Sequence, residues 1–430
     1  MVELALIGVF FVLLFLGVPV AFCIGLATAV AMSLSIDWLA AVTTIAQRMA
    51  GGINSFALLA VPLFILSGQL MSSGGIAQRL VTFARSLVGQ LPGGLAFVNV
   101  ISCTLFGAIS GSAVAATSAV GGVMVPAMEE DHYDRDFSAA LTATAATTGL
   151  LIPPSNILIV YAVASGGVSI AALFLGGYLP GLIVALCLMV VCAVYARGRD
   201  LAGVNIASAP PIARSFLQAG PSLFLIVLVI GGIIGGVFTA TEAGAIAVIY
   251  ALVLSLIYRE MTLKDLPEIL LRAAQTTAVV MVLVGTSIAM SWLLAFQNVP
   301  TVVADALLSI SDNPLLLLLL INIVLLVVGS FMDMTPAVLI FTPIFLPIAT
   351  QLGMSPLHFG IMMVLNLCIG LCTPPVGSVL FVSCAVAKTT IERMIRPLMP
   401  MYLAMIAALL LVTYVPEVSE ALPRAFGFYQ

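Results

Sequence analysis

Charge is what this chain has least of. Of its 430 residues only 7% are charged, with 14 Lys plus Arg against 18 Asp plus Glu. A soluble domain carries about 25% charged residues and roughly 45–50% apolar ones. Here 62% are hydrophobic and the mean hydropathy is +1.26, which excludes a soluble globular protein. Disorder is excluded as well, because it needs low hydrophobicity and a high net charge, and the net charge is only −4. With so few basic residues there is no surface for nucleic acid. The seven cysteines (23, 103, 187, 192, 368, 372 and 384) are odd in number and lie in apolar runs, without disulfide or zinc spacing. They read as small packing residues. Of the two histidines, His132 sits in the charged stretch EEDHYDRD as a solvated loop residue, and His358 starts a helix without partner residues in sequence. The first residues, MVELALIGVFFVLL, lack a cationic leader and read as a retained first helix.

What the chain has is long apolar sequence broken by glycine and proline. Apolar segments fall at about 3–34, 55–72, 93–128, 138–165, 169–196, 221–258, 276–297, 314–350, 357–387 and 397–415. A span needs roughly 20 apolar residues, so the longest segments must be paired short spans or hairpins. The 36 glycines and 23 prolines sit inside these runs, a pattern of broken helices lining a cavity. Threading from an external residue 3, with 93–128 and 314–350 as re-entrant hairpins, puts Arg79, Arg85, Arg135, Arg197, Arg199, Arg214, Arg259, Lys264, Arg272, Lys388, Arg393 and Arg396 on one side. Only Arg48 and Arg424 fall opposite. By the positive-inside rule both termini are then external.

The two halves match in order on either side of a polar linker at 197–220. Each opens with a broken apolar stretch (3–34 and 221–258), followed by an amphipathic segment (38–52 and 263–275) that reads as a helix in the membrane interface. A span, a re-entrant hairpin, an interrupted span and a last span follow in both. Because the halves begin on opposite sides, the repeats are inverted, the architecture of secondary transporters with a site near the midplane. The expected fold class is an all-α polytopic membrane protein with two re-entrant hairpins and interrupted helices. The expected division is 1–92 (first scaffold part and arm), 93–196 (hairpin 1 at about 93–130, interrupted helix at about 138–165), the linker, 221–313 (second scaffold part and arm) and 314–430 (hairpin 2 at about 314–350, interrupted helix at about 357–387, last helix).

Four polar interruptions carry the chemistry. Gly111-Ser112-Ala113-Val114-Ala115-Ala116-Thr117 pairs with Gly329-Ser330-Phe331-Met332-Asp333-Met334-Thr335, each with Thr six residues after Gly. Thr148-Gly149-Leu150-Leu151-Ile152-Pro153-Pro154-Ser155-Asn156 pairs with Ile369-Gly370-Leu371-Cys372-Thr373-Pro374-Pro375-Val376-Gly377. The Thr-to-Pro separations are 36 residues (117 to 153) and 39 (335 to 374). Pro-Pro removes amide donors and frees carbonyls of the preceding turn, which in hydrocarbon must meet an ion, a ligand or water. A hairpin tip facing such a break offers an all-oxygen cage suited to a hard cation such as Na⁺. Helix N-termini at the breaks present positive dipole ends to an anion. The competing reading is tight packing of kinks through small residues. Asp333 is an intramembrane carboxylate and so a candidate Na⁺ ligand or proton carrier, or else a cap of its own helix. Glu242, in FTATEAGA, reads as a cap with Thr239 or Thr241.

The chain resembles the large membrane subunit of tripartite ATP-independent periplasmic (TRAP) transporters. The likeness rests on Asn54-Ser55-Phe56 with Ala60-Val61-Pro62-Leu63-Phe64, Gly74-Gly75-Ile76, Gly111-Ser112-Ala113-Val114-Ala115, Ile152-Pro153-Pro154-Ser155, Phe238-Thr239-Ala240-Thr241-Glu242-Ala243-Gly244-Ala245, Met332-Asp333-Met334-Thr335-Pro336 and Thr373-Pro374-Pro375-Val376-Gly377. Ala240, where many relatives carry Pro, is a small departure. The resemblance implies an elevator-type fold related to divalent-anion/Na⁺ symporters, in the bacterial or archaeal inner membrane, importing a small carboxylate with Na⁺ as coupling ion and no other cofactor. It implies two protein partners, a small membrane subunit and a periplasmic substrate-binding protein, besides the lipid bilayer. The chain is expected to be the unfused large subunit, with no four-helix module before residue 1. Carried over by motif, one Na⁺ site involves Gly111, Ser112, Thr117, Pro153, Ser155 and Asn156, and the second Gly329, Asp333, Thr335, Thr373, Pro374 and Gly377. The carboxylate is expected between the tips, on Ser112, Ser155, Asn156, Thr335 and Thr373. A stand-alone dicarboxylate/Na⁺ symporter is the alternative within transport. A channel is disfavoured by the inverted repeat. An intramembrane aspartyl protease needs two facing aspartates, and only Asp333 qualifies, so no enzyme is expected.

Overall fold

The computed structural model describes residues 2–197, 211–311 and 313–429. Arg199, Asp312 and most of the 197–220 linker lie outside the described residues. All regular structure among the described residues is helical, and eight helices are long and apolar enough to cross a membrane.

Each half opens with a pair of helices folded back on one another. In the first, α1 (Val2–Phe15) and α2 (Val20–Ser33) part at Gly17, whose φ of +78° suits only glycine, and at Pro19. In the second, α11 (Ile212–Ile234) and α12 (Ala240–Ile257) part at Gly235-Gly236. Helix α11 therefore starts inside the stretch read as linker, because Arg214-Ser215-Phe216-Leu217-Gln218-Ala219 contains no helix breaker. The expected cap is present: Thr239 Oγ1 accepts the Glu242 N–H at 3.2 Å, and Glu242 Oε2 accepts the Thr239 N–H at 2.8 Å.

The next elements break the symmetry. The first half has an amphipathic helix, α3 (Trp38–Ile53), set apart by Asn54-Ser55 from α4 (Ala60–Ser73). The second half was expected to repeat this with separate segments at 263–275 and 276–297. Instead a single helix, α13 (Leu266–Phe296), runs through both. Nothing in Ala274-Gln275-Thr276-Thr277-Ala278 interrupts it, whereas Asn54-Ser55 interrupts the first half. Helix α13 crosses α2 and α3 at glycines: a Cβ on Gly25 would meet Thr286 at 3.0 Å, and one on Gly52 would meet Ile288 at 2.4 Å. Helices α5 (Ile76–Val88) and α14 (Val299–Leu308) then lead into the hairpins.

Hairpin 1 is α6 (Gly94–Ser110) and α7 (Ala113–Glu130), and hairpin 2 is α15 (Pro314–Phe331) and α16 (Met334–Gln351). The interrupted helices are α8 (Arg135–Thr148) with α9 (Asn156–Ala164), and α17 (Pro356–Gly370) with α18 (Ser378–Ala387). Each break contains a cis Pro-Pro bond, Pro153-Pro154 and Pro374-Pro375. Helices α10 (Ile170–Ala196) and α19 (Ile391–Tyr414) follow the breaks, and α20 (Glu417–Ala425) packs back on α10.

Backbone contacts reveal the register of the repeat. Gly107 of α6 touches Gly149 at the first break, and Gly329 of α15 touches Gly370 at the second. The offsets are 329 − 107 = 222 and 370 − 149 = 221, and 374 − 153 = 221 for the prolines. The expected pairing of Gly111-Ser112 with Gly329-Ser330 has an offset of 218 and does not hold. Gly111 is instead the left-handed cap residue ending α6, with φ +63°. Ser112 opens α7 as Asp333 opens α16, at an offset of 333 − 112 = 221.

Candidate functional site

Both hairpin tips and both helix breaks border one cavity of about 240 Å³. Tip 1 contributes Ser110 to Ala115, tip 2 contributes Asp333, Met334 and Thr335, and the breaks contribute Leu150, Asn156, Leu371 and Ser378. The opposite wall is α4, through Val61, Ile65, Gly68, Gln69 and Ser72, with Thr276 and Val280 of α13. Gly68 lets tip 1 approach closely: a Cβ there would stand 2.4 Å from the Ser110 carbonyl oxygen.

The sequence places four helix starts at this point, because each break or tip ends in a residue that opens a helix. Helices α7, α9, α16 and α18 begin at Ala113, Asn156, Met334 and Ser378, all lining the cavity. Four positive dipole ends, each equivalent to roughly half a charge, therefore point into one small volume. Asp333 is the single charged side chain among the described lining residues. It is exposed and lines the cavity, at the N-cap of α16 and without a side-chain capping hydrogen bond. Its counterpart Ser112 does cap, accepting the Ala115 N–H at 3.2 Å. Beside tip 1 the Asn156 amide nitrogen lies 3.1 Å from where a Gly111 Cβ would be, and Asn156 Oδ1 is buried with no hydrogen-bond partner. A buried acceptor left unpaired is costly unless something fills it.

Of the residues expected from sequence, Gly111, Ser112, Asn156, Asp333 and Thr335 line the cavity. The others stand behind the lining. Thr117 is buried and donates to the Ala113 carbonyl at 2.8 Å. Ser155 is buried and donates to the Leu150 carbonyl. Thr373 donates to the Ile369 carbonyl at 2.7 Å. Pro153 and Pro374 shape the breaks, Gly329 packs on Gly370, and the Cβ position of Gly377 is closed by the Thr373 carbonyl at 2.9 Å. The Val376 N–H also donates to the Ser330 carbonyl at 3.1 Å, tying break 2 to hairpin 2. Gln69, Ser72, Ser110, Thr276 and Ser378 line the cavity without having been expected. Gln69 and Ser72 were visible as polar residues inside an otherwise apolar span. Among the described residues no group of three His, Cys, Asp or Glu side chains could hold a metal. His358 is buried and bonds the Val412 carbonyl at 2.6 Å, away from the cavity.

An all-helical membrane chain whose two hairpins and two interrupted helices meet at one polar cavity belongs to the class of secondary-transporter folds. Its fold resembles the crystal structure of the Alcanivorax borkumensis YdaH transporter, described there as an unusual topology, with a TM-score of 0.62 over 88% of each chain at 16% identity. The family model of the tripartite ATP-independent periplasmic transporter, DctM component, matches residues 7–418, and the chain belongs to that family. It is 50% identical to the uncharacterized protein YgiK of Salmonella typhimurium, over 99% of this chain and 98% of that one. It is 40% identical to the sialic acid TRAP transporter large permease protein SiaM of Vibrio cholerae serotype O1, over 97% of each. These relatives are transporter permeases or uncharacterized, and the chain is a transporter subunit and not an enzyme.

Proposed function

We propose that this chain imports a small organic acid, a carboxylate, across the inner membrane in symport with Na⁺, by an elevator movement. The observation that carries the reading is the convergence of four helix N-termini on a cavity whose one charged lining residue is Asp333. The dipole ends favour an anion, while the carboxylate repels it until a cation binds. Coupling follows from that opposition: Na⁺ on Asp333 and neighbouring oxygens, with a second Na⁺ at Asn156 Oδ1 and the tip-1 carbonyls, makes the cavity attractive to the substrate. Main-chain amides, Ser112, Thr335 and the other cavity hydroxyls then hold the carboxylate without an arginine. The sialic acid permease in the same family is consistent with a substrate of this charge.

In this mechanism α1 to α5 and α11 to α14 form the scaffold, and the hairpins and interrupted helices move against it. A filled, neutralised site crosses more easily than a bare one, since an isolated charge at the bilayer centre costs about 2.5–3.5 kcal/mol even on the most lenient scale. A small membrane subunit and a periplasmic binding protein complete the transporter, as the family name implies, and the termini face the periplasm. Uptake by the reconstituted complex in proteoliposomes tests the reading. With binding protein and an inward Na⁺ gradient, the native chain is expected to accumulate substrate and Asp333→Asn to lose most Na⁺-dependent uptake. Unchanged Na⁺ dependence in that variant removes Asp333 from the site. Full-rate uptake of free substrate without the binding protein would leave a stand-alone symporter.

A further inference from the structure

A second cleft, of about 1140 Å³, shares no lining residue with the transport cavity and is bounded by the turn between α7 and α8, the end of α10 and the start of α19. Its rim carries Arg393 and Arg396, both exposed, with His132 on the opposing turn. Neither guanidinium has a carboxylate within 4.0 Å among the described residues. The two acids that line the cleft are each held by a hydrogen bond away from the arginines: Asp134 Oδ1 accepts the Phe137 N–H at 2.8 Å to cap α8, and Asp136 accepts the Thr389 hydroxyl. Below the arginines the lining turns apolar, with Val190 62% and Val194 60% exposed along one face of α10. Arg393 and Arg396 fall in the first two turns of the 24-residue apolar helix α19, at the level where a span meets the headgroups. We propose that this cleft binds an anionic phospholipid, its phosphate on Arg393 and Arg396 and its acyl chains along Val190, Val194 and Pro400. Charge complementarity and the apolar lining together favour a lipid over a soluble anion, because two cations without a carboxylate partner among the described residues share the cleft with the exposed Val190 and Val194. Basic pockets between spans at a membrane surface recognise anionic headgroups in this way.

The test uses the purified full chain in detergent, with phosphatidylglycerol, phosphatidylcholine or inorganic phosphate added, and reads retained lipid by native mass spectrometry and protection by thermal unfolding. Phosphatidylglycerol is expected to bind and raise the unfolding midpoint, and phosphatidylcholine and phosphate to do neither. Two surface cations contribute on the order of ten- to thirty-fold in affinity, so R393Q/R396Q should weaken phosphatidylglycerol by that factor. R393K/R396K should retain most of the binding, and R272Q, a charge loss on exposed α13, should change nothing. Equal retention of both lipids, unchanged affinity in R393Q/R396Q, or full protection by phosphate alone overturns the site.

Discussion

The two places where backbone meets backbone permit a graded test of how each hairpin is held to its break. A methyl group added at Gly149 would stand 2.4 Å from Gly107, at Gly370 2.6 Å from Gly329, at Gly107 2.9 Å from Gly149 and at Gly329 3.1 Å from Gly370. Against an ordinary carbon contact of about 3.5 Å the shortfalls are roughly 1.1, 0.9, 0.6 and 0.4 Å. In each case the obstructing atoms are main chain and cannot rotate away, so a helix must shift. Overpacking of this kind costs about 1–3 kcal/mol, with Gly149→Ala at the top of the range and Gly329→Ala at the bottom. Gly149 has φ −65°, ordinary for alanine, so strain in its own backbone does not contribute. Gly122→Ala, mid-way along α7 with nothing within 4 Å, is the control. It should stabilise by up to about 1 kcal/mol through helix propensity. Unfolding midpoints of the five variants in one detergent are expected to order as Gly149, Gly370, Gly107, Gly329, native, Gly122, from lowest to highest. An inverted order, or four contact variants that behave like Gly122→Ala, refutes the proximity of hairpin and break on which the shape of the cavity depends.

The proposed cation site makes further demands. Asn156→Leu removes the unpaired buried oxygen and should weaken Na⁺ dependence of uptake at least tenfold; an unaltered Na⁺ response removes Asn156 from the site. Thr117→Val deletes a hydroxyl that serves only its own helix, so near-native uptake is expected, and a loss comparable to Asp333→Asn would show a role the geometry does not assign. Gly68→Ala puts a methyl against the Ser110 carbonyl and should push tip 1 off α4, read as faster hydrogen exchange over residues 110–115; unchanged exchange contradicts the contact.

Much of this architecture was legible because helix breaks leave strong marks. Pro153-Pro154 and Pro374-Pro375 locate both interruptions, and Gly17 and Pro19 locate the fold within the first opening pair; in the second pair the polar stretch Thr239 to Glu242, read as the interruption, opens α12 instead, and the turn falls just before it at Gly235-Gly236. Glu242 was legible as a cap, with Thr239 or Thr241 as partner, and the structure selects Thr239. The pairing of the hairpin tips was harder to read. A Gly-Ser dipeptide recurs at 111 and 329 by sequence, but the working glycine of tip 1's helix is Gly107, one turn earlier, because glycine is needed where the helix touches Gly149. The unequal Thr-to-Pro separations, 36 and 39, already held the three-residue slip. Thr117 consequently lies inside α7 while Thr335 faces the cavity. Gln69, Ser72 and Thr276 could not be assigned from sequence, since which face of α4 and α13 meets the tips is fixed only by packing against α2, α3 and α12.

The unbroken α13 makes the two halves mechanically unlike. Its 31 residues form a beam of about 46 Å at 1.5 Å per residue, seated on α3 along one stretch and on α16 along another. A tilt of about 10° at one end sweeps the other by roughly 8 Å, whereas the counterpart formed by α3 and α4 has a joint at Asn54-Ser55 that absorbs such a rotation. Leverage from the start of α13 to the second hairpin is thus rigid, and from α3 to the first hairpin it is articulated.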